Sequence, residues 1–315
     1  MHPAYSVIFF TTASGAGLGL LAWLGLGNAL DLLPKSQWFG FFGVGLAVVL
    51  LSAGLMSSTF HLGRPERAWR AFSQWRSSWL SREGVSAVLT YIPTGVLGIG
   101  WGIMGITDGA VAVAGVVAAV LAIVTIYTTG MIYASLPTIR AWYQPLVPIV
   151  YIALGLASGA VLLTLLLAIF EGVPSWAVWL SVAAIAAGFV AKSLYWSTVA
   201  GEKRTSTVGT ATGLGGFGKV RPLAPPHTMA NFVMREMGYE VARKHAEKLR
   251  GIVHLMLFVV PAALLLATLV VGSPLTLPLV LLAFGSTAVG LVTERWLFFA
   301  EAEHVSMLYY GKEAV

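Results

Sequence analysis

The chain has 315 residues, of which 57% are hydrophobic and only 10% are charged, and its mean hydropathy is +0.83. A soluble domain carries about 25% charged residues, so this composition excludes a water-soluble protein and predicts an integral membrane protein. The absence of cysteine excludes disulfide bonds, iron–sulfur ligation and thiol catalysis by this chain. We interpret the net charge of +6 as loop charge on one membrane face, with no nucleic acid as a partner.

Eight segments of about 20 mostly apolar residues predict eight transmembrane helices. They are Ala4–Ala29, Phe39–Phe60, Glu83–Met104, Ala110–Leu136, Pro145–Phe170, Trp176–Trp196, Ile252–Val271 and Leu275–Phe298. No basic residue precedes the first segment and no cleavage pattern of small residues follows it, so we expect a retained span. The predicted fold is an all-α membrane bundle, with residues 1–315 forming a single integral membrane domain.

Two of the predicted connections are unusual. The first, His61–Arg82, is rich in arginine and joins spans two and three. The second, Ser197–Arg250, is far longer than the connection between two helices of a bundle needs to be. In its second half, Thr228–Arg250, apolar and charged residues alternate in the pattern of an amphipathic helix, which would lie on the membrane surface or dock a partner.

The basic residues predict the orientation. Eight spans place both termini and the links 2–3, 4–5 and 6–7 on one face. Of the 19 Lys and Arg residues, Lys35 alone falls on the opposite face. Because basic loops stay in the cytoplasm, we expect a multi-pass protein of the inner membrane with cytoplasmic termini and a cytoplasmic 197–250 link.

Ionisable residues at membrane depth are costly and mark candidate sites. Here they cluster near the predicted cytoplasmic ends of the spans: His61, Glu83, Lys192, His254, Glu294 and Arg295. A transporter or an ion-translocating subunit would place polar groups near the midplane, whereas a quinone site needs an apolar slot near the membrane edge with a group that exchanges protons. The pattern therefore favours a quinone site. Structural explanations stay open, since Lys192 can snorkel to the surface and Glu294 can pair with Arg295.

Two short motifs carry a resemblance to a known family. They are the run Phe60-His61-Leu62-Gly63 with Pro65 and Ala68 after it, and the run Leu80-Ser81-Arg82-Glu83. Together they resemble the DmsC family, the membrane anchor subunits of dimethyl sulfoxide reductase-type molybdoenzymes. Supporting matches are Ala191–Trp196 and Glu294–Ala300.

The resemblance implies an eight-helix anchor that binds an iron–sulfur subunit, which binds a molybdopterin catalytic subunit, in a heterotrimer. Such an anchor exchanges electrons with membrane quinone, either ubiquinone or menaquinone, and holds no metal. It implies that His61 and Glu83 take part in quinol binding. A partly buried Glu can relay protons, so we expect His61 to bind the quinone and Glu83 to act as the proton relay. The weaker candidates for positioning the quinone are Arg64, Arg82, Tyr195 and His254.

The predicted orientation narrows the expected reaction. Exported dimethyl sulfoxide reductases work outside the cytoplasm, whereas the basic face of this chain is predicted to be cytoplasmic. The chain therefore resembles more the anchor of a cytoplasm-facing sulfite dehydrogenase (SoeC), which passes electrons from sulfite to quinone. Two alternative functions stay open, a reductase anchor that takes electrons from quinol and a purely structural anchor. An alternative cofactor is a b-type haem held by His61 and His254.

Overall fold

The structure, a computed structural model, describes residues 2–60, 62–202, 205–224, 227–229, 231–238, 245–272 and 274–315. Eight helices within these ranges are long and apolar enough to cross a membrane, which confirms the predicted all-α bundle. They are α1 (Tyr5–Ala29), α2 (Gln37–Thr59), α3 (Trp79–Gly102), α4 (Gly109–Ala134), α5 (Leu146–Phe170), α6 (Ser175–Gly201), α7 (Ala246–Ala267) and α8 (Thr276–Ala300).

Helices α1 and α5 form the centre of the bundle and are mostly buried, whereas the other six helices bury less than half of their apolar stretch. Helix α1 packs against α2, α4, α5 and α8. Glycines allow the closest approaches, because a methyl group on Gly19 would overlap the carbonyl of Gly155, and one on Gly25 would overlap that of Gly115. Backbones in direct contact are typical of helix packing in membranes. No hydrophobic driving force acts between helices in lipid, so they associate through the close van der Waals packing that small residues allow.

The seventh span differs in detail from the segment that hydropathy predicts. It begins at Ala246 rather than at Ile252. The additional residues include charged ones, and Arg250 among them lies 3.2 Å from the carboxylate of Glu301, which stabilises this charged start of the helix. Its middle turn, His254–Val259, is a π-helix. Pro261 follows within one turn and has no N–H to donate, which removes a hydrogen bond from the regular ladder at this point.

The long link between α6 and α7 is described in part. A short helix, Phe232–Met237, falls within the predicted amphipathic segment Thr228–Arg250. Residues 230 and 239–244 lie outside the described residues, so the amphipathic helix stays a prediction. The start of the link is fastened to the bundle, because Gln144 Nε2 donates to Glu202 Oε1 at 2.6 Å.

The link between α2 and α3 contains a 3-10 helix, Pro65–Gln74, none of whose residues is buried. Arg82 fastens the end of the link to α3, because its Nε donates to the carbonyl of Trp75 at 3.0 Å and its Nη2 to that of Arg76 at 2.7 Å. The Phe72 ring packs against Gly84. The arginine-rich segment is thereby held over the first turns of α3.

Candidate functional site

A cavity of about 880 Å³ lies beneath this link, at the end of the bundle that carries most of the basic residues. Its walls come from the start of α1, the end of α2, the first turns of α3 and the end of α4. Apolar side chains dominate the walls: Val7, Phe10, Leu55, Leu62, Trp69, Phe72, Leu80, Ile132, Trp142 and Phe299. A cavity of this size and character is typical of sites for organic ligands with a large apolar portion.

Glu83 supplies a carboxyl group to this cavity. It sits in the second turn of α3, lines the cavity and is only 4% exposed. The Thr129 hydroxyl on α4 donates to Glu83 Oε1 at 2.5 Å. A carboxyl held by a hydrogen bond at the edge of an apolar cavity has the geometry needed to exchange a proton with a bound molecule.

Aromatic rings form the wall of the cavity behind Glu83. The Tyr133 ring centre lies 5.1 Å from that of Trp142 and 5.3 Å from that of Phe299, both at steep angles. Trp142 is fixed in turn, because its Nε1 donates to the carbonyl of Phe298 at 2.9 Å. This wall is rigid and buried, and it joins α4 to α8.

Two of the predicted site residues lie at the cavity together. Arg64 and Glu83 both line it, and Arg67 adds a second guanidinium. His61 lies outside the described residues, while its neighbours Leu62 and Gly63 line the cavity. The roles predicted for these residues stay predictions, but the geometry brings a carboxyl and two cationic groups to one apolar cavity.

The other three predicted residues lie elsewhere. The Arg82 guanidinium lies 4.2 Å from the ring centre of Trp79 and bonds to the Trp75 and Arg76 carbonyls of the link. Tyr195 donates to the carbonyl of Ala141 at 2.9 Å and lines a separate cavity of about 200 Å³ between α6, α7 and α8. His254 lies among the rings of Phe189, Trp196 and Phe258, at centre distances of 5.3, 5.2 and 6.1 Å.

Two residues of the site, Thr129 and Tyr133, carry little signal in the sequence. Hydroxyl residues are common in apolar helices, where they bond to their own backbone, as Thr129 does to the Thr125 carbonyl at 2.9 Å. Tyr133 has the depth of an interfacial tyrosine in the sequence, but it is 8% exposed and faces the bundle interior. Neither signal distinguishes a cavity wall from ordinary packing.

Lys192, Glu294 and Arg295 form a buried charged cluster next to this aromatic wall. Lys192 is fully buried, so it does not snorkel to the surface. Its Nζ lies 2.5 Å from Glu294 Oε1, and Arg295 Nε donates to the other carboxylate oxygen. The pairing of Glu294 with Arg295 is therefore observed, and Lys192 is part of it.

Comparison with known proteins places the chain in a family. Residues 1–213 match the DmsC family, described as the DMSO reductase anchor subunit. The chain is similar along its whole length to the C subunit of the sulfite dehydrogenase of Allochromatium vinosum, with 35% identity covering 100% of both proteins. It is also 30% identical to the C subunit of the anaerobic dimethyl sulfoxide reductase of Escherichia coli K12, over 41% of this chain and 45% of that protein. The chain therefore belongs to the DmsC family of anchor subunits.

Proposed function

We propose that this protein is the quinone-reactive membrane anchor of a molybdoenzyme that oxidises sulfite to sulfate. The observation that carries the proposal is the apolar cavity with the buried carboxyl of Glu83 in its wall. Full-length similarity to a sulfite dehydrogenase subunit favours sulfite as the substrate of the catalytic partner. The partners are an iron–sulfur subunit and a molybdopterin catalytic subunit, in a heterotrimer.

The chemistry divides between the partners and this chain. Two electrons from the last iron–sulfur cluster of the partner and two protons convert a quinone to a quinol. The apolar walls take the ring and the first part of the tail, and Glu83 passes protons to a quinone oxygen. Arg64 lines the same cavity, and we assign its guanidinium to the second oxygen. His61 is the further hydrogen-bond donor that the family resemblance implies.

The orientation belongs to the same proposal. Both termini and the 197–250 link lie in the cytoplasm, and the membrane is the inner membrane. The distribution of the basic residues supports this, because Lys35 alone falls on the opposite face. Reporter fusions after residues 108 and 220 test the orientation, and a reporter active outside the cytoplasm at residue 220 would reverse the choice of substrate.

The decisive experiment replaces the carboxyl. Glu83→Gln keeps the shape of the side chain, so we expect the complex to assemble and quinone-linked turnover to fall by about 100-fold or more, the usual contribution of a proton relay. Glu66→Gln is the matched control, because Glu66 lies on the link above the cavity with its side chain 65% exposed and does not line the cavity. Normal quinone reduction by the Glu83 variant would reject the site.

The second candidate function is that of an anchor of a dimethyl sulfoxide or related reductase, favoured by the partial similarity to the enzyme of Escherichia coli. Electrons would then leave quinol through the same cavity. Turnover of the purified complex with sulfite and a quinone analogue, against turnover with quinol and a sulfoxide, separates the two. An optical spectrum of the same preparation shows whether a haem is present.

A further inference from the structure

The buried cluster of Lys192, Glu294 and Arg295 contains more positive than negative charge. Each of the three side chains is at most 2% exposed. The Lys192 ammonium lies 4.3 Å from the ring centre of Tyr195 and 4.8 Å from that of Trp196, contacts that stabilise its charged form. Two cations and one carboxylate leave a net charge of +1. The neighbouring carboxylate of Glu301 is already paired with Arg250 at 3.2 Å, so it does not neutralise the cluster by itself. An uncompensated buried charge is costly, which favours a second counter-charge nearby.

A small internal cavity lies on the side of the cluster that faces Glu83. Its volume is about 20 Å³, which is enough for a single water molecule. Arg295 and Tyr151 line it together with Thr129. Arg295 Nη2 and the Tyr151 hydroxyl are buried and interact with each other, but neither makes a hydrogen bond of normal length and angle to a third described residue. Buried polar groups of this kind are nearly always satisfied by water when no protein partner is available.

Thr129 connects this small cavity to the site. It lines the small cavity, and its hydroxyl donates to Glu83 Oε1 at 2.5 Å. A second connection runs through aromatic rings. Tyr133 lines the large cavity and stacks on Tyr151 with ring centres 5.8 Å apart, and the Arg295 guanidinium lies 4.1 Å over the Tyr151 ring.

We propose that Lys192, Glu294 and Arg295 together are the counter-charge of Glu83, and that a water molecule in the small cavity links Arg295 to Thr129. With Glu83 ionised, the buried group holds two charges of each sign. Arg295 is then a positioning residue that acts through Glu83. The inference rests on the proposed function only in that Glu83 passes protons to the quinone.

The proposal gives the proton step a defined charge balance. When Glu83 gives its proton to a quinone oxygen, the O–H bond of the carboxyl breaks and a new O–H bond forms on the quinone. The electrons come from the iron–sulfur subunit. The buried group passes from +1 to zero, so loss of the proton relieves an excess of positive charge. Uptake of the next proton restores the starting state.

Other polar groups share the surroundings of the Glu83 carboxyl. Thr129 donates to it, and the same cavity is lined by Tyr133 on α4, by Arg64 and Arg67 on the link, and by His2 before α1. Arg64 and Arg67 lie in an exposed segment, where water and salt screen their charge. The buried cluster is not screened by water and salt in this way.

The test is an infrared titration of the purified, assembled complex. The carboxyl band of Glu83 is the one that Glu83→Gln removes. Arg295→Gln lowers the cluster charge from +1 to zero, so the pH midpoint of this band should rise by about one unit. The double variant Glu294→Gln with Arg295→Gln keeps a net charge of +1, and its midpoint should return toward that of the unaltered complex. Thr164→Val is the control, because its hydroxyl pairs with Ser181 on the far side of the bundle.

Two results would overturn the proposal. One is an unchanged midpoint in Arg295→Gln, and the other is an equal shift in the single and the double variant, which would indicate a purely structural role. If the Arg295 variants do not assemble, Lys192→Met also lowers the cluster charge from +1 to zero. Its midpoint should rise as well, and an unchanged value would contradict the proposal. Because the titration needs no quinone, the proposed function can fail while this inference stands, and the reverse.

Discussion

The buried cluster makes a sharp prediction about stability, because its three members are not equivalent. Glu294 contacts both cations, with Lys192 Nζ at 2.5 Å from Oε1 and Arg295 Nε on the other oxygen. Glu294→Gln therefore leaves two buried cations with no carboxylate between them. Lys192→Met leaves a balanced pair of Glu294 and Arg295, and the methionine refills most of the space of the lysine stem.

The two substitutions should therefore lower the free energy of unfolding by different amounts. Removing the directly bonded partner of a buried charge costs about 3–5 kcal/mol, so Glu294→Gln should lower the folding equilibrium constant by about 100-fold or more. Lys192→Met removes a charge that was itself costly to bury, and exchange of a buried ionic group for an apolar one is often nearly neutral. We expect its effect to stay below about 1.5 kcal/mol, the range of volume-conserving core substitutions.

Unfolding titrations of the purified protein in mixed micelles with increasing dodecyl sulfate measure both variants against the unaltered chain. Lys35→Met is the surface control, because Lys35 pairs with Asp31 at 3.0 Å while both side chains are about two-thirds exposed or more. A Glu294→Gln variant that is no less stable than Lys192→Met would refute this explanation. That order would mean that the cluster is held by packing and not by charge.

Three further predictions concern the α1–α5 contact, the large cavity and the smaller cavity beside Tyr195. Gly19→Leu should prevent the α1–α5 contact, so an immunoblot of the membrane fraction should no longer detect the protein. Gly15→Ala should accumulate normally in the same immunoblot, because its added methyl group meets no atom within 4 Å. Phe72→Ala should remove about 1–2 kcal/mol of apolar contact and raise the KM for quinone about 5–30-fold with little change in kcat, while Trp75→Ala, outside the cavity, should not. Tyr195→Phe should leave the KM for quinone unchanged, because that hydroxyl bonds the Ala141 carbonyl beside another cavity, and a raised KM would move the quinone site there.

Hydropathy predicts the spans because a helix that crosses the membrane must be apolar over about 20 residues. It fails at ends that carry charge. Helix α7 starts at Ala246 because Arg250 pairs with Glu301. Glu301 is 51 positions away, so no window of a hydropathy profile contains both residues. The start of a helix thus depends on a tertiary contact that hydropathy does not record.

The same limit explains which part of the candidate site is visible in the sequence. Glu83 stands out because a carboxylate near the start of an apolar span is costly and therefore unusual. Thr129 does not, since a threonine in a membrane helix is unremarkable until the facing helix is known. Lys192 and Glu294 are each visible as intramembrane charges, but only the three-dimensional structure shows that they form one ion pair between α6 and α8 and that Lys192 does not reach the surface.

If the proposed function holds, the position of the cavity decides where the electron-donating partner must dock. Its roof is the segment from Leu62 to Phe72, which also carries Arg64, Arg67 and Arg70 on the basic face. An acidic partner surface attracted to these arginines would come to rest directly over the cavity and shorten the path from its last cluster to the bound quinone. Charge reversal at Arg70, which lies outside the cavity, should therefore weaken association with the iron–sulfur subunit in pull-down assays at low salt. It should leave quinone-analogue binding to the anchor intact, and loss of both together would show that Arg70 acts on the site itself.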